Sequence, residues 1–288
     1  MAIDKAVDSS QLNSDLTSVA NAIRAKSGGS SQLAFPSGFV SEIQAIPSGG
    51  GGWTTDGIIN GTEPSGALVS NATRLRSNLF TGNTGITSVS LPMCNGGGGA
   101  VFQNCPNIVS VSMPSETTFY SRNNFFENCS KCTSFYLPLA TIIGSYQFKG
   151  CAVLPYIVLP SVTQIYNEAL MNCAALVGAD FGPSLVFERT GIFKNDANLK
   201  TIILRKTSVV QLKVLDAFNG TPFANGGSGG TIYIPKSLYD HLGDGTSSDY
   251  QAATNWSTLH GYGTITWAKI EGSIYETKYV DGSDIPTS

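Results

Sequence analysis

One four-residue phrase constrains this chain more than anything else in it. The phrase is an aromatic or aliphatic residue, any residue, Asn or Gly, then Cys. It reads Phe102-Gln103-Asn104-Cys105, Phe126-Glu127-Asn128-Cys129, Phe148-Lys149-Gly150-Cys151 and Leu170-Met171-Asn172-Cys173, at spacings of 24, 22 and 22 residues. A period of this length marks stacked units, none of which can bury its apolar side alone. Relaxing the cysteine extends the register to Phe80-Thr81-Gly82-Asn83, Phe193-Lys194-Asn195-Asp196 and Phe218-Asn219-Gly220-Thr221, seven anchors in all.

Counted from each anchor, the sixth position is Ile86, Ile108, Cys132, Leu154, Leu176 and Leu199. The ninth is Val89, Val111, Phe135, Ile157, Ala179 and Ile202, and the eleventh is Leu91, Met113, Leu137, Leu159, Phe181 and Leu204. This alternation predicts a short strand with the ninth and eleventh side chains inward and the eighth and tenth outward. Pro92, Pro114, Pro138 and Pro160 follow the eleventh position and end each strand, because proline cannot donate to a ladder.

These residues resemble the BspA-type leucine-rich repeat family, whose units run Phe-x-Asn-Cys, then Leu, Ile and Leu-Pro, then a return ending in Ala-Phe. The resemblance covers roughly Ile58 to Pro235 and implies a mainly β leucine-rich-repeat solenoid, with about seven repeats of 22–25 residues. Two stretches depart from it: a glycine run replaces a return segment at Cys94 to Gly99, and Gly178 to Thr190 lacks the Leu-Pro signature.

The register also answers the question posed by six cysteines. Cys105, Cys129, Cys151 and Cys173 share one repeat position and are expected to form a ladder of buried, reduced thiols. Cys129 and Cys132 make a C-x-x-C, but Cys132 fills the slot held elsewhere by Leu or Ile. Core packing is therefore preferred to a redox or zinc role, and no metal or cofactor is expected. A net charge of -3 gives no electrostatic case for nucleic acid or an anionic membrane. Charged residues make up only 13%, yet the 41% hydrophobic content can fill a core, so the composition reads as repetitive turns and not as disorder.

Flanking segments complete the expected organisation. Residues 1–47 form a helical assembly module, with a first helix from Gln11 to Lys26 carrying Leu12, Leu16, Val19 and Ile23 as a heptad-like seam for self-association. Its phrases Leu16-Thr17-Ser18-Val19-Ala20-Asn21-Ala22-Ile23-Arg24 and Phe35-Pro36-Ser37-Gly38-Phe39-Val40 resemble an N-terminal module of tailed-phage structural proteins. That likeness implies a virion setting with other tail proteins as partners, and analogy with phage fibres predicts a trimer. Residues 48–57 are a glycine-rich linker without the Lys-Ser/Thr ending of a phosphate loop. Met1 to Ala20 lacks the apolar run of a signal peptide, which points to release by lysis, and no stretch approaches the roughly 18 apolar residues that a membrane span needs. Residues 58–235 are the solenoid, 236–275 a C-terminal cap of two short helices and a closing strand, and 276–288 a flexible tail.

Nothing in the chain argues for catalysis. His241 and His260 fall in the cap without a marked nucleophile, and Asp240, Asp244 and Asp249 crowd its loop instead of the repeat strands. The outward positions are more informative. They run Ser88, Ser90, Ser110, Ser112 and Ser134, then change to Tyr136, Tyr156, Val158, Gly178, Asp180, Thr201, Ile203 and Tyr233. A change of side chain at constant register is not a folding requirement, and clustered aromatic residues at outward positions mark contact surfaces. Tyr136, Tyr156, Val158 and Asp180 are the expected binding residues, with Ile203 and Tyr233 at the far edge. The expected function is non-enzymatic: a phage tail adhesin that binds a glycan or protein of the bacterial surface, or alternatively a bacterial cell-surface adhesin of the same repeat family.

Overall fold

The computed structural model describes residues 65–187 and 189–286. Leu12, Leu16, Val19 and Ile23 lie outside the described residues, as do the rest of the expected helical module, the glycine linker and the start of the first half repeat. The described chain belongs to the second of two compact units, Glu63–Ser288.

Twelve strands follow in chain order among the described residues: β1 (Gly66–Val69), β2 (Ile86–Ser90), β3 (Ser110–Ser112), β4 (Ser134–Tyr136), β5 (Ile142–Ile143), β6 (Tyr156–Leu159), β7 (Gln164–Ile165), β8 (Gly178–Phe181), β9 (Val186–Phe187), β10 (Thr201–Leu204), β11 (Gly230–Ile234) and β12 (Ile265–Lys269). The odd short strands β5, β7 and β9 make a small parallel sheet of their own. The others stack as two parallel sheets, β1-β2-β3-β4 and β6-β8-β10-β11-β12, so successive coils wind as a solenoid. As expected, the sixth, ninth and eleventh positions point inward and are buried in every repeat.

The anchor phrase is a turn, and its third residue explains the choice of Asn or Gly. Gly82, Asn104, Asn128, Gly150, Asn172, Asn195 and Gly220 all have φ between 59° and 78°. That left-handed region is open to glycine and tolerated by asparagine, and is disfavoured by most other residues. The anchor side chains stack from coil to coil, with Phe102 parallel to Phe80 at 5.2 Å and to Phe126 at 5.6 Å. Their amides reach forward: Phe80 N donates to Val101 O (2.9 Å), Phe102 N to Phe125 O (2.8 Å) and Phe148 N to Ala169 O (2.8 Å).

The thiols are the second thread of this wall. Cys105 Sγ donates to Phe80 O (3.0 Å), Cys129 Sγ to Phe102 O (3.3 Å), Cys151 Sγ to Phe126 O (3.5 Å) and Cys173 Sγ to Phe148 O (3.2 Å). All six cysteines are free and buried. Burial raises their pKa, to about 11 at Cys105 and about 12 at Cys132, so the reactive thiolate is suppressed. Asp196 occupies the same position one coil later. Its Oδ1 accepts the Cys173 amide (2.8 Å), Oδ2 is buried without a partner, and burial pushes the carboxyl pKa to about 9.

One gap interrupts the long wall. Just before each strand a main-chain bond steps to the preceding coil, from Val109 N to Thr87 O (2.8 Å), Thr133 N to Val109 O (2.8 Å), Val177 N to Pro155 O (2.8 Å) and Lys200 N to Val177 O (2.9 Å). The missing step is the one that Pro155, lacking an N–H, would have to make to Thr133. There the sheet divides, and β4 and β6 lie side by side in different sheets.

The C-terminal end is closed by side chains. Short helices α1 (Lys236–Tyr239) and α2 (Trp256–Gly261) follow, and the start of α2 with the segment before it brings up a trio that serves the strand-like edge at Val210–Leu212. Tyr250 Oη accepts from Val210 N (2.9 Å), Trp256 Nε1 donates to Val210 O (2.7 Å) and Asn255 Nδ2 donates to Leu212 O (2.7 Å). A cap of two helices and a closing strand was expected, and the strand, β12, extends the long wall itself. The expected free tail differs: Val280 is buried, and the segment up to residue 286 folds back on the sheet.

Two outcomes follow from the anchor wall. Native-state labelling with a thiol reagent is expected to be slow at Cys105, Cys129, Cys151 and Cys173 and fast after denaturation; rapid labelling of the folded protein would place them outside the core. At Asp196, the folded chain keeps its proton up to about pH 9 while the unfolded chain loses it near the ordinary aspartate value. The site therefore costs nothing in acid, and stability falls as pH rises through that window, by at most about 1.4 kcal/mol per pH unit. Asp196→Asn keeps an acceptor for Cys173 and is expected to raise stability at neutral pH and flatten this trend in urea unfolding. An unaltered pH profile would mean the carboxylate is already ionised in the fold.

Candidate binding surface

The outward positions line up across the long wall. Ser88, Ser110 and Ser134 share one row, and Ser90, Ser112 and Tyr136 the next. Beyond the Pro155 gap the rows continue as Tyr156, Gly178, Thr201 and Thr231, and as Val158, Asp180, Ile203 and Tyr233. Strand pleating thus places all six expected binding residues on one face. It does not leave them equally open.

Tyr136 and Tyr156 remain accessible, at 59% and 38% relative exposure, beside exposed Ser134. Asp180 and Ile203 are 1% and 0% exposed, and Val158 and Tyr233 are half-buried. The cover is the segment after β12, so these four do not belong to a free surface. Tyr279 N donates to Ser283 O (2.8 Å) and Ile285 N to Thr277 O (2.9 Å), closing a small hairpin over 277–285. Val280 packs with Ile203 and Ile270, flanked by Val158, Tyr233 and Tyr275. The Tyr275 ring meets Tyr233 edge-on at 4.7 Å.

Arg205 fixes the hairpin in place. Its Nε and Nη2 donate to Asp180 Oδ1 (2.8 Å) and Oδ2 (2.7 Å), a two-pronged pair. The same guanidinium donates to Tyr275 O (2.9 Å) and Lys278 O (3.0 Å) and lies 5.3 Å from the Tyr279 ring centre. Val280 N donates to Asp180 Oδ2 (3.1 Å). Burial raises the Asp180 pKa, with Arg205 opposing that shift.

Sequence reasoning missed Arg205, Tyr275 and Tyr279 as parts of this face, although two signals were present. Arg205 stands where proline ends the strand in four repeats, and Gly178 interrupts a row of side chains. A Cβ at Gly178 would lie 2.5 Å from Val280 Cγ2 and 3.1 Å from the Tyr156 ring, so the glycine makes room for the hairpin.

Other candidates offer less. Tyr120 meets Tyr166 at 6.0 Å, and Arg189 sits 5.2 Å over Tyr166, but the two rings cross at 67° and form no flat platform. A cleft of about 610 Å³ beside Val210, Leu212, Asn255 and Trp256 adjoins the edge that the cap side chains already satisfy. His241 Nδ1 lies 2.6 Å from Asp244 Oδ2 at an exposed turn, and His260 accepts from Trp267 Nε1 at 3.4 Å. Asp249 closes its own loop by accepting the Gly245 and Gln251 amides at 3.0 and 2.8 Å.

The comparisons with known proteins concern the coil. A model of the BspA type leucine rich repeat region matches residues 65–176 and 121–239, in six copies. Among solved structures, a leucine-rich repeat protein from Bacteroides ovatus is similar at 19% identity over 71% of this chain and 42% of that one, with a TM-score of 0.37. A leucine rich cell surface protein from Faecalibacterium prausnitzii is similar at 16% identity over 61% of this chain and 65% of that one, also with a TM-score of 0.37. This chain thus spans less than two thirds of either protein. No curated protein matches it.

Gly178→Val is expected to clash with Val280 and lift the hairpin, at a cost of about 1–3 kcal/mol. Limited proteolysis would show new cleavage between residues 273 and 286, while the solenoid stays resistant. Unchanged protection of that segment would contradict the packing described.

Proposed function

Since the chain belongs to the BspA-type leucine-rich repeat family, we propose that it is a non-enzymatic binding protein of adhesin type, which engages its ligand on the open part of the long wall. One observation carries this reading: Tyr136 and Tyr156 stay exposed in two neighbouring rows, beside a stretch of the same wall that is covered by the chain's own C-terminal hairpin. The fold would bury two tyrosines there if packing were their only use. Around them lie Ser88, Ser90, Ser110, Ser112 and Ser134, a surface without a charged group at these positions. Such a surface suits stacking on sugar rings or an uncharged protein face, and it gives nothing to a nucleic acid backbone.

The setting that this reading favours is a bacterial cell surface, the place of an adhesin of this repeat family. The virion reading, with tail proteins as partners and a trimeric seam at Leu12, Leu16, Val19 and Ile23, depends on residues outside the described chain. Sedimentation of the full chain and localisation by immunogold on producing cells would separate the two settings.

Tyr136→Ala and Tyr156→Ala are expected to leave stability within about 0.5 kcal/mol and to weaken adsorption to bacterial cells by about 2 kcal/mol if either is a hot spot. A lowered melting temperature with undiminished adsorption would mean that these tyrosines are packing residues.

A further inference from the structure

The covered half of the wall has features that neither coil closure nor the open tyrosine surface requires. The solenoid's end is already sealed by Tyr250, Asn255, Trp256 and β12. The hairpin over 277–285 adds no strand to the sheet. Its main-chain bonds stay within residues 274–285, and it is held by side chains of the wall that read the backbone: Arg205 takes the Lys278 carbonyl and that of Tyr275 just before the hairpin, and Asp180 takes the Val280 amide. Asp180 and Arg205 occupy repeat positions that elsewhere hold serine, tyrosine, valine or isoleucine and, in most repeats, proline. They are specific to this face and are not a need of every coil.

We propose that Val158, Asp180, Ile203, Arg205 and Tyr233 form a polypeptide-binding site, closed in cis by the chain's own C-terminal hairpin. The partner it fits is a peptide turn that offers two carbonyls to Arg205, one amide to Asp180, an aliphatic side chain to Ile203 and Val158, and a tyrosine to Tyr233. The in-cis occupant shows each of these contacts: Tyr275 O and Lys278 O on Arg205, Val280 N on Asp180, the Val280 side chain on Ile203, and Tyr275 against Tyr233. Bonds from wall side chains to a partner's main chain do not depend on that partner's sequence, so specificity falls to the aliphatic and tyrosine positions. The hairpin's apolar contact is a satellite cluster of three buried residues, Ile203, Ile270 and Val280. A segment held by so few buried contacts opens locally at lower free energy than the whole fold. This site adjoins the surface around Tyr136 and Tyr156, since the Tyr156 ring and Val280 both border Gly178, but it uses neither tyrosine, so peptide binding and adsorption to cells test the two readings separately.

The test uses the full chain with Val280→Asp, which removes the hairpin's buried contact and sets a carboxylate beside Asp180. A fluorescent peptide of residues 270–286 is the probe, followed by anisotropy. The opened variant is expected to bind it at least about ten-fold more tightly than the wild type, whose site is already occupied. Adding Arg205→Ala, or replacing both tyrosines of the peptide by alanine, is expected to abolish the gain. A folded Val280→Asp chain with a freely exchanging hairpin and no gain in peptide binding would overturn the proposal. Should that variant fail to fold, hydrogen exchange on the wild type decides: the Tyr279, Val280 and Ile285 amides must exchange faster than those of Ile202 and Ile232. Exchange of both groups at one common rate would make the hairpin an inseparable part of the fold and end the idea.

Discussion

Everything in this fold depends on one small turn repeated at each coil, in which the chain passes through a left-handed residue and leaves the carbonyl of the anchor aromatic pointing along the stack. That oxygen accepts the amide three residues on in its own coil, as Cys129 N does to Phe126 O at 3.2 Å, and the thiol of the following coil. Cysteine suits the second task because it is small and apolar and still carries a weak donor. The exceptions follow the same logic. Asn83, in the first anchor, uses Oδ1 to accept the Gly85 and Ile86 amides at 2.9 and 2.8 Å. Thr221, in the last, turns its hydroxyl back to its own anchor, Phe218 O, at 2.7 Å.

The coil was legible because its constraints recur. A left-handed residue at a fixed place selects Asn or Gly, an inward position selects an aliphatic or aromatic side chain, and seven recurrences make the pattern visible. A second left-handed position, two residues before the anchor, escaped notice because it is filled by Asn78, Ala100, Asn124, Tyr146, Glu168 and Gly191. Neighbouring coils impose that conformation through main-chain bonds such as Asn124 N to Ser145 O at 3.0 Å, so composition carries little trace of it. The glycine run at Cys94 to Gly99, which looked like a lapse in the repeat, is a close approach: Cβ atoms at Gly97 and Gly98 would strike Leu75 O and Ser77 Oγ at 2.3 and 1.9 Å.

The candidate surface was legible only in part, for a physical reason. Strand alternation fixed which side chains point outward, and it did so correctly for all six residues. Whether an outward residue meets solvent depends on segments distant in sequence, and here Val280 covers Asp180 from 100 residues away. A short tail rich in glycine and polar residues gives no periodic signal of its own. Its docking is written on the receiving side, in the missing side chain at Gly178 and the arginine at 205.

The absent step at Pro155 also bears on how the coil carries load. A row of parallel strands joined by main-chain bonds acts as a tie along the stack, and at this point the tie is cut, while the anchor wall continues through Asn128 N to Lys149 O at 2.7 Å and the side of the small sheet through Thr163 N to Thr141 O at 2.7 Å. Tension applied along the coil must leave the strand wall there and pass through the other two. The seam falls between Tyr136 and Tyr156, so a pull on anything held by both would be felt first as bending at a joint that the other two walls hinge.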